Sequence, residues 1–168
     1  MSLTMYRISV PVFIRGLRVL SQLLEKASLH AQASGIDPAE LVDARLAPDM
    51  FGLAGQVQRT SDTAKLAIER LTGVQSPRME DKESTFAELQ ERISKTIEYL
   101  ESVDASKLDG TETRTVTLAF GEFKQSFSAE AYLLTFTLPN FFFHVTTAYD
   151  ILRNKGVQVG KLDYLGPY

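Results

Sequence analysis

The residues best suited to chemistry lie near the C-terminus, in the stretch LPNFFFHVTTAYDILRNKGV from Leu138 to Val157. His144 is one of only two histidines in the chain and follows a run of three phenylalanines. An imidazole can carry a proton near neutral pH, ligate a metal, or pack with its ring nitrogens satisfied. At about 100° per helical residue, His144 lies about 60° to one side of an apolar stripe centred on Phe141. Gln56 has the same offset from Leu53 on another helix, so the two polar groups are expected to face each other across a core. The simplest role for Gln56 is to satisfy His144 or a buried carbonyl. Tyr149 stands seven residues after Phe142 on a second face of the same helix. With Phe143 and Tyr132, that face carries more aromatic surface than one bundle interior takes from a single helix, so a hairpin or a second subunit is expected over it. His144, Gln56 and Tyr149 are the candidate ligand-binding residues. No catalytic residue, metal set or cofactor is assigned.

Other polar residues have plainer readings. His30 lies about 100° off the stripe of the first helix, near its C-terminal end, and reads as a solvated surface histidine. Two histidines alone do not make an ordinary zinc site. Asp62 and Asp150 read as helix-surface acids. Asp49 precedes the second long helix and is expected to serve its N-terminus, with Arg45 as an ion-pair partner. No glycine-rich phosphate loop, G-x-S-x-G or H-E-x-x-H sequence occurs.

Four segments carry the helical repeat that must position these groups. Phe13, Leu17, Leu20, Leu24, Ala27 and Ala31 mark the first, with Pro11 in its opening turn and Gly35 as its stop. In the connector that follows, Asp37 and Pro38 form the start of a short helical turn. Leu53, Val57, Thr60, Ala64, Ala67 and Leu71 mark the second, which the spacing predicts from about Phe51 to Leu71, ended by Gly73. In the third, Thr85 and Glu88 form a capping box ahead of Phe86, Leu89, Ile93, Ile97 and Leu100. Phe141, Val145, Ala148 and Leu152 mark the last, where Pro139 either kinks the helix or starts its second part, and Gly156 ends it. Before that helix, Val116, Leu118 and Phe120 alternate with Thr115, Thr117 and Ala119 up to Gly121, the pattern of a short hairpin. Four amphipathic helices predict a single all-α domain over residues 1–168. Its form is an antiparallel up-down four-helix bundle with elaborated loops and a short β-hairpin before the last helix.

The 168 residues suffice for one sizeable core, and 44% hydrophobic with 23% charged residues is an ordinary globular balance. A net charge of −3, with basic residues scattered, leaves no footprint for a phosphate backbone, so no nucleic-acid partner is expected. There is no cysteine, which removes disulfides, thiolate zinc sites and thiol nucleophiles. Arg7, Arg15 and Arg18 interrupt the apolar N-terminal stretch, and no apolar run approaches the roughly 18 residues of a membrane span. A cytoplasmic protein without a membrane partner is the expectation.

Together, RLAPDMFGLAGQVQRTSDTAK from Arg45, TVTLAFGEF, and LPNFFFHVTTAYDILRNKGVQVGKLDYLG from Leu138 resemble a bacterial and fungal family of unknown function. That family belongs to the DinB/YfiT-like superfamily, and the resemblance covers nearly the whole chain. It implies an up-down four-helix bundle, often assembled as a dimer. The superfamily looks like a set of metalloenzymes, thiol-dependent transferases and isomerases among them. Its usual metal site is three histidines, one on the second helix and two on the last in an H-x3-H spacing. Here His144 matches the first position of that spacing, Ala148 stands at the second, and the second helix offers Gln56. The resemblance therefore implies a branch without the three-histidine site. The leading expectation is a small-molecule-binding or interaction module with a pocket flanked by His144, Gln56 and Tyr149. The alternative is a degenerate metalloenzyme, or a transferase using His144 as general base. The expected partners are a small molecule and a second copy of the chain.

Overall fold

A computed structural model describes residues 3–166, except for the side chains of Phe120 and Phe123. In chain order it contains α1 (Val10–Ser34), α2 (Pro38–Val42), α3 (Leu53–Thr72), α4 (Phe86–Glu101), β1 (Thr115–Phe120), β2 (Phe123–Ser128), α5 (Ala129–Ala131), α6 (Leu138–Asn154) and α7 (Lys161–Leu165). A 3-10 turn, Ala105–Lys107, precedes the hairpin, and a π-helical segment, Tyr132–Thr137, joins α5 to α6.

The four apolar stripes form the core of a four-helix bundle. The stripe residues of α1, α3 and α6 are all buried, and most are completely inaccessible. On α4 the buried face drifts: Ile97 is half-buried, while Arg92, Thr96 and Tyr99 turn inward. Each large apolar side chain removed from water in this way is worth about 1.5–3 kcal/mol before entropy is counted. The α1–α6 contact is especially close. Phe13 and Phe141 meet edge to face at 5.0 Å, and a Cβ on Gly16 would fall 2.4 Å from Phe141 Cε1. Glycine is required there by the approach of the ring.

The expected bundle and hairpin are both present, and at the α3–α4 step the chain crosses back rather than turning. Residues 73–85 run along α3 from its C-terminal to its N-terminal end. Ser76 N–H donates to Glu69 at 3.1 Å, Ser61 meets the Met79 sulfur, Arg59 pairs with Asp81, and Gln58 donates to Glu83 at 2.9 Å. Helix α3 is roughly 30 Å long, well within the reach of that connector when extended. The α4 helix then starts beside the N-terminal end of α3 and runs parallel to it. Helices α1 and α6 run the opposite way. Helical periodicity carries no direction, so this crossover is visible only in the structure.

Local signals act as expected. Asp37 caps α2 by accepting from Ala39 N–H at 3.0 Å, and Thr85 and Glu88 form the capping box of α4. Gly35 and Gly73 take left-handed conformations just past α1 and α3. Pro139 starts α6 rather than breaking it. Ahead of it the helix widens, and Leu138 N–H reaches back to the Leu133 carbonyl, so the chain absorbs a residue with no N–H of its own.

The hairpin pairs Thr115 with Ser128 through to Phe120 with Phe123, turning at Gly121 with φ 56°. Val116 and Leu118 are buried as the alternation predicts, and the Phe120 side chain lies outside the described residues. The hairpin covers only part of the aromatic surface near the last helix. Phe127 packs on Tyr132 and Phe136, whereas Phe142 and Phe143 remain exposed. Asp49 does not cap α3. The N-cap is Gly52, without a side-chain bond, and Asp49 is exposed three residues earlier. No ion pair joins it to Arg45 among the described residues.

Candidate ligand site between α3 and α6

Helices α3 and α6 pack antiparallel, and three polar links cross their seam. Gln56 bonds His144 at 2.8 Å, Asn140 donates to Thr63 at 2.8 Å, and Arg70 donates to the Tyr132 hydroxyl at 3.1 Å. On α3 these positions are spaced by seven residues, two helical turns, so they fall on one face. Tyr132, Phe136, Asn140 and His144 recur every four residues on the facing side. A cleft of about 290 Å³ follows this seam, with Leu66 and Phe136 supplying apolar lining and Arg59 and Asp62 polar lining.

The Gln56–His144 pair can be read atom by atom. The Gln56 Nε2 donates to the Phe51 carbonyl at 3.0 Å, which fixes which end of the amide is which. Its Oε1 therefore faces the imidazole as an acceptor, and His144 Nδ1 must carry the proton. The other ring nitrogen, Nε2, is left with a lone pair and no protein partner among the described residues. His144 lines the cleft and its ring meets Phe143 edge to face at 5.2 Å. Burial, reinforced by the charge of Arg59, pushes the His144 pKa down to about 4. At neutral pH the ring is uncharged, with a fixed tautomer and an open acceptor.

Behind the cleft wall lies a six-charge cluster. Asp62 pairs with Arg59 at 3.2 Å, Lys65 at 3.1 Å and Arg92 at 2.8 Å. Arg92 also reaches Asp81 at 3.1 Å and Glu83 at 2.9 Å, with its side chain only 1% exposed. Three cations and three carboxylates balance, which makes burial of these charges tolerable. Asp62 is thus not a solvated surface acid, as its position suggests, but the hub that ties α3, α4 and the crossover together. Asp150 is exposed as expected.

The candidates separate. His144 and Gln56 come together as their matched offsets predict. Tyr149 does not join them. Its ring packs on Tyr164 at 5.8 Å, and it does not line the cleft. Five residues beyond His144 on a helix is a rotation of about 140°, which carries Tyr149 to another side of α6. His30 is half-buried on α1 and is not among the residues lining the cleft. The residues that the sequence reading passes over are Thr63, Arg70 and Asn140. Their signal is the seven-residue ladder on α3 and the four-residue ladder leading to His144.

The three-histidine metal site of the superfamily does not fit these residues. Ala148 is wholly buried one turn beyond His144, and Gln56 supplies an amide whose oxygen is already used by the ring. Among the described residues, no group of three or more His, Cys, Asp or Glu side chains is placed to hold a metal ion. No described helix is long and apolar enough to cross a membrane.

Comparison with known proteins agrees with this architecture. The comparison with curated proteins gives no match. Among solved structures, a DinB family member protein from Shewanella denitrificans is 36% identical in sequence, with a TM-score of 0.89. The match covers 97% of this chain and 92% of that one. The family model for DUF1993, a domain of unknown function, matches residues 5–165. The chain belongs to the DUF1993 family and has a DinB-like fold.

Proposed function

We propose that this protein binds a small molecule in the α3–α6 cleft, using His144 as a neutral hydrogen-bond acceptor. The observation that carries this reading is the pairing of His144 Nδ1 with Gln56, which aligns the ring and leaves Nε2 as an unused acceptor beside the cleft. Solvent reaches Nε2, so an acceptor held in one tautomer can exchange water for a ligand donor. Binding is favoured over general-base catalysis on chemical grounds. An efficient base has a pKa near the working pH, whereas an imidazole with a pKa of about 4 is a weak proton acceptor at pH 7.

A fragment screen by two-dimensional NMR tests the reading. Binders should perturb the His144 ring together with the Thr63 and Asn140 amides, and Leu66→Trp, which fills the cleft, should abolish those shifts. Hits that map only to the opposite, charged face around Pro77 and Lys95 would refute it.

A further inference from the structure

The two ends of the cleft have opposite hydrogen-bonding needs. At one end, Arg70 donates to the Tyr132 hydroxyl and forms no ion pair with any carboxylate among the described residues. Its neighbours differ, since Arg59 and Arg92 are both bound to acids. Arg70 sits in the last turn of α3, where a cation usually serves the helix C-terminus. Here that service comes from Arg114, which donates to the Leu71 carbonyl at 3.0 Å, and Arg70 instead turns sideways to Tyr132. The Tyr132 ring is 1% exposed and stacked on Phe136 at 6.0 Å, so its hydroxyl is held in place. Having accepted from Arg70, that hydroxyl still has its own proton to donate. This end therefore presents a solvent-exposed guanidinium fork, whose charge also acts on Glu69, and a phenolic donor, neither bonded to a protein carboxylate among the described residues.

The other end presents His144 Nε2, an acceptor with no donor. From Tyr132 to His144 the helix advances at most about 18 Å along the axis, less than a pure α-helix because Tyr132–Thr137 is π-helical. Between the two ends lie Leu66 and Phe136, together with the mutually bonded Thr63 and Asn140.

From these complementary ends we infer that the ligand is an extended carboxylic acid with an apolar stretch against Leu66 and Phe136, its carboxylate on Arg70 and Tyr132 and a hydroxyl or amine donor at its far end on His144. A guanidinium suits a carboxylate because it binds both oxygens at once, and the phenol adds a third donor. This inference rests on the cleft being a binding site.

The test is calorimetry with NMR mapping, using ω-hydroxydodecanoate, dodecanoate and dodecane diol below any micelle-forming concentration. The hydroxy acid should bind most tightly and shift both His144 and Tyr132. Arg70→Gln should weaken the hydroxy acid at least tenfold and leave the diol unchanged. Tyr132→Phe should weaken the two acids and spare the diol. If the acid and the diol bind equally, and Arg70→Gln changes neither, the carboxylate assignment falls while the cleft stands. If none of the three probes perturbs His144 or Tyr132, the inference and the cleft reading fall together.

Discussion

The Nδ1–H of His144 donates to Gln56 Oε1 at 2.8 Å across the α3–α6 seam, and the Phe51 carbonyl fixes that amide from behind. This relay converts two isolated polar residues into one oriented group. It determines the ring tautomer, while burial and the charge of Arg59 keep the imidazole neutral; the remaining nitrogen of this cleft-lining residue has no protein partner among the described residues.

A neutral buried histidine links stability to pH. The His144 pKa falls from an ordinary 6.5 to about 4 on folding, so between those values the unfolded chain binds more protons than the folded one. The contribution is fully present above about pH 6.5 and is lost as the pH falls toward 4, amounting to roughly 3 kcal/mol. Urea denaturation at pH 7 and pH 4 should show this loss in the native protein. His144→Gln should lack that share of it, and equal losses in both proteins would contradict the account.

Changing Gln56 should act on His144 directly. Gln56→Leu removes the acceptor for Nδ1–H and the donor to the Phe51 carbonyl, at a cost of about 1–3 kcal/mol. Gln56→Glu places a carboxylate against the ring and should raise the His144 pKa by more than one unit, measured by NMR titration. An unchanged titration would show that the two side chains are not coupled.

Gly16 should tolerate no side chain. A Cβ there would sit 2.4 Å from the buried Phe141 ring, so Gly16→Ala should destabilise the fold by roughly 1–3 kcal/mol despite alanine's better helix propensity. Thermal denaturation checks this. Pairing it with Phe141→Leu should recover part of the loss, because the clashing ring edge is gone.

The charge cluster should govern the crossover. Arg92→Leu leaves Asp62, Asp81 and Glu83 facing one another with too little positive charge, at a cost of about 3–5 kcal/mol. Amide exchange should speed up in residues 76–85 more than in α1. Uniform acceleration throughout the bundle would argue against a local clasp.

Much of this was legible in the sequence, for identifiable reasons. The stripes through Phe13, Leu53, Phe86 and Phe141 locate the helices because burial of one face imposes the 3.6-residue period. The matched 60° offsets of Gln56 and His144 place both at the edge of a core, and they do pair there. Tyr149 lies apart from the Gln56–His144 pair because sharing a helix is not sharing a face. Arg92 escapes the pattern because burial of a charge depends on partners supplied by other elements, here Asp62 on α3 and Asp81 and Glu83 in the crossover. The same limit hides the direction of α4, which only the contacts of residues 73–85 reveal.

The most direct measurement is the ¹⁵N spectrum of the His144 imidazole at pH 7, recorded through its long-range couplings to the ring protons. The account predicts a neutral ring with a pyrrole-like, protonated Nδ1 and a pyridine-like, unprotonated Nε2 that shifts when ω-hydroxydodecanoate is added. A proton on Nε2, in either the other neutral tautomer or the imidazolium, would contradict it.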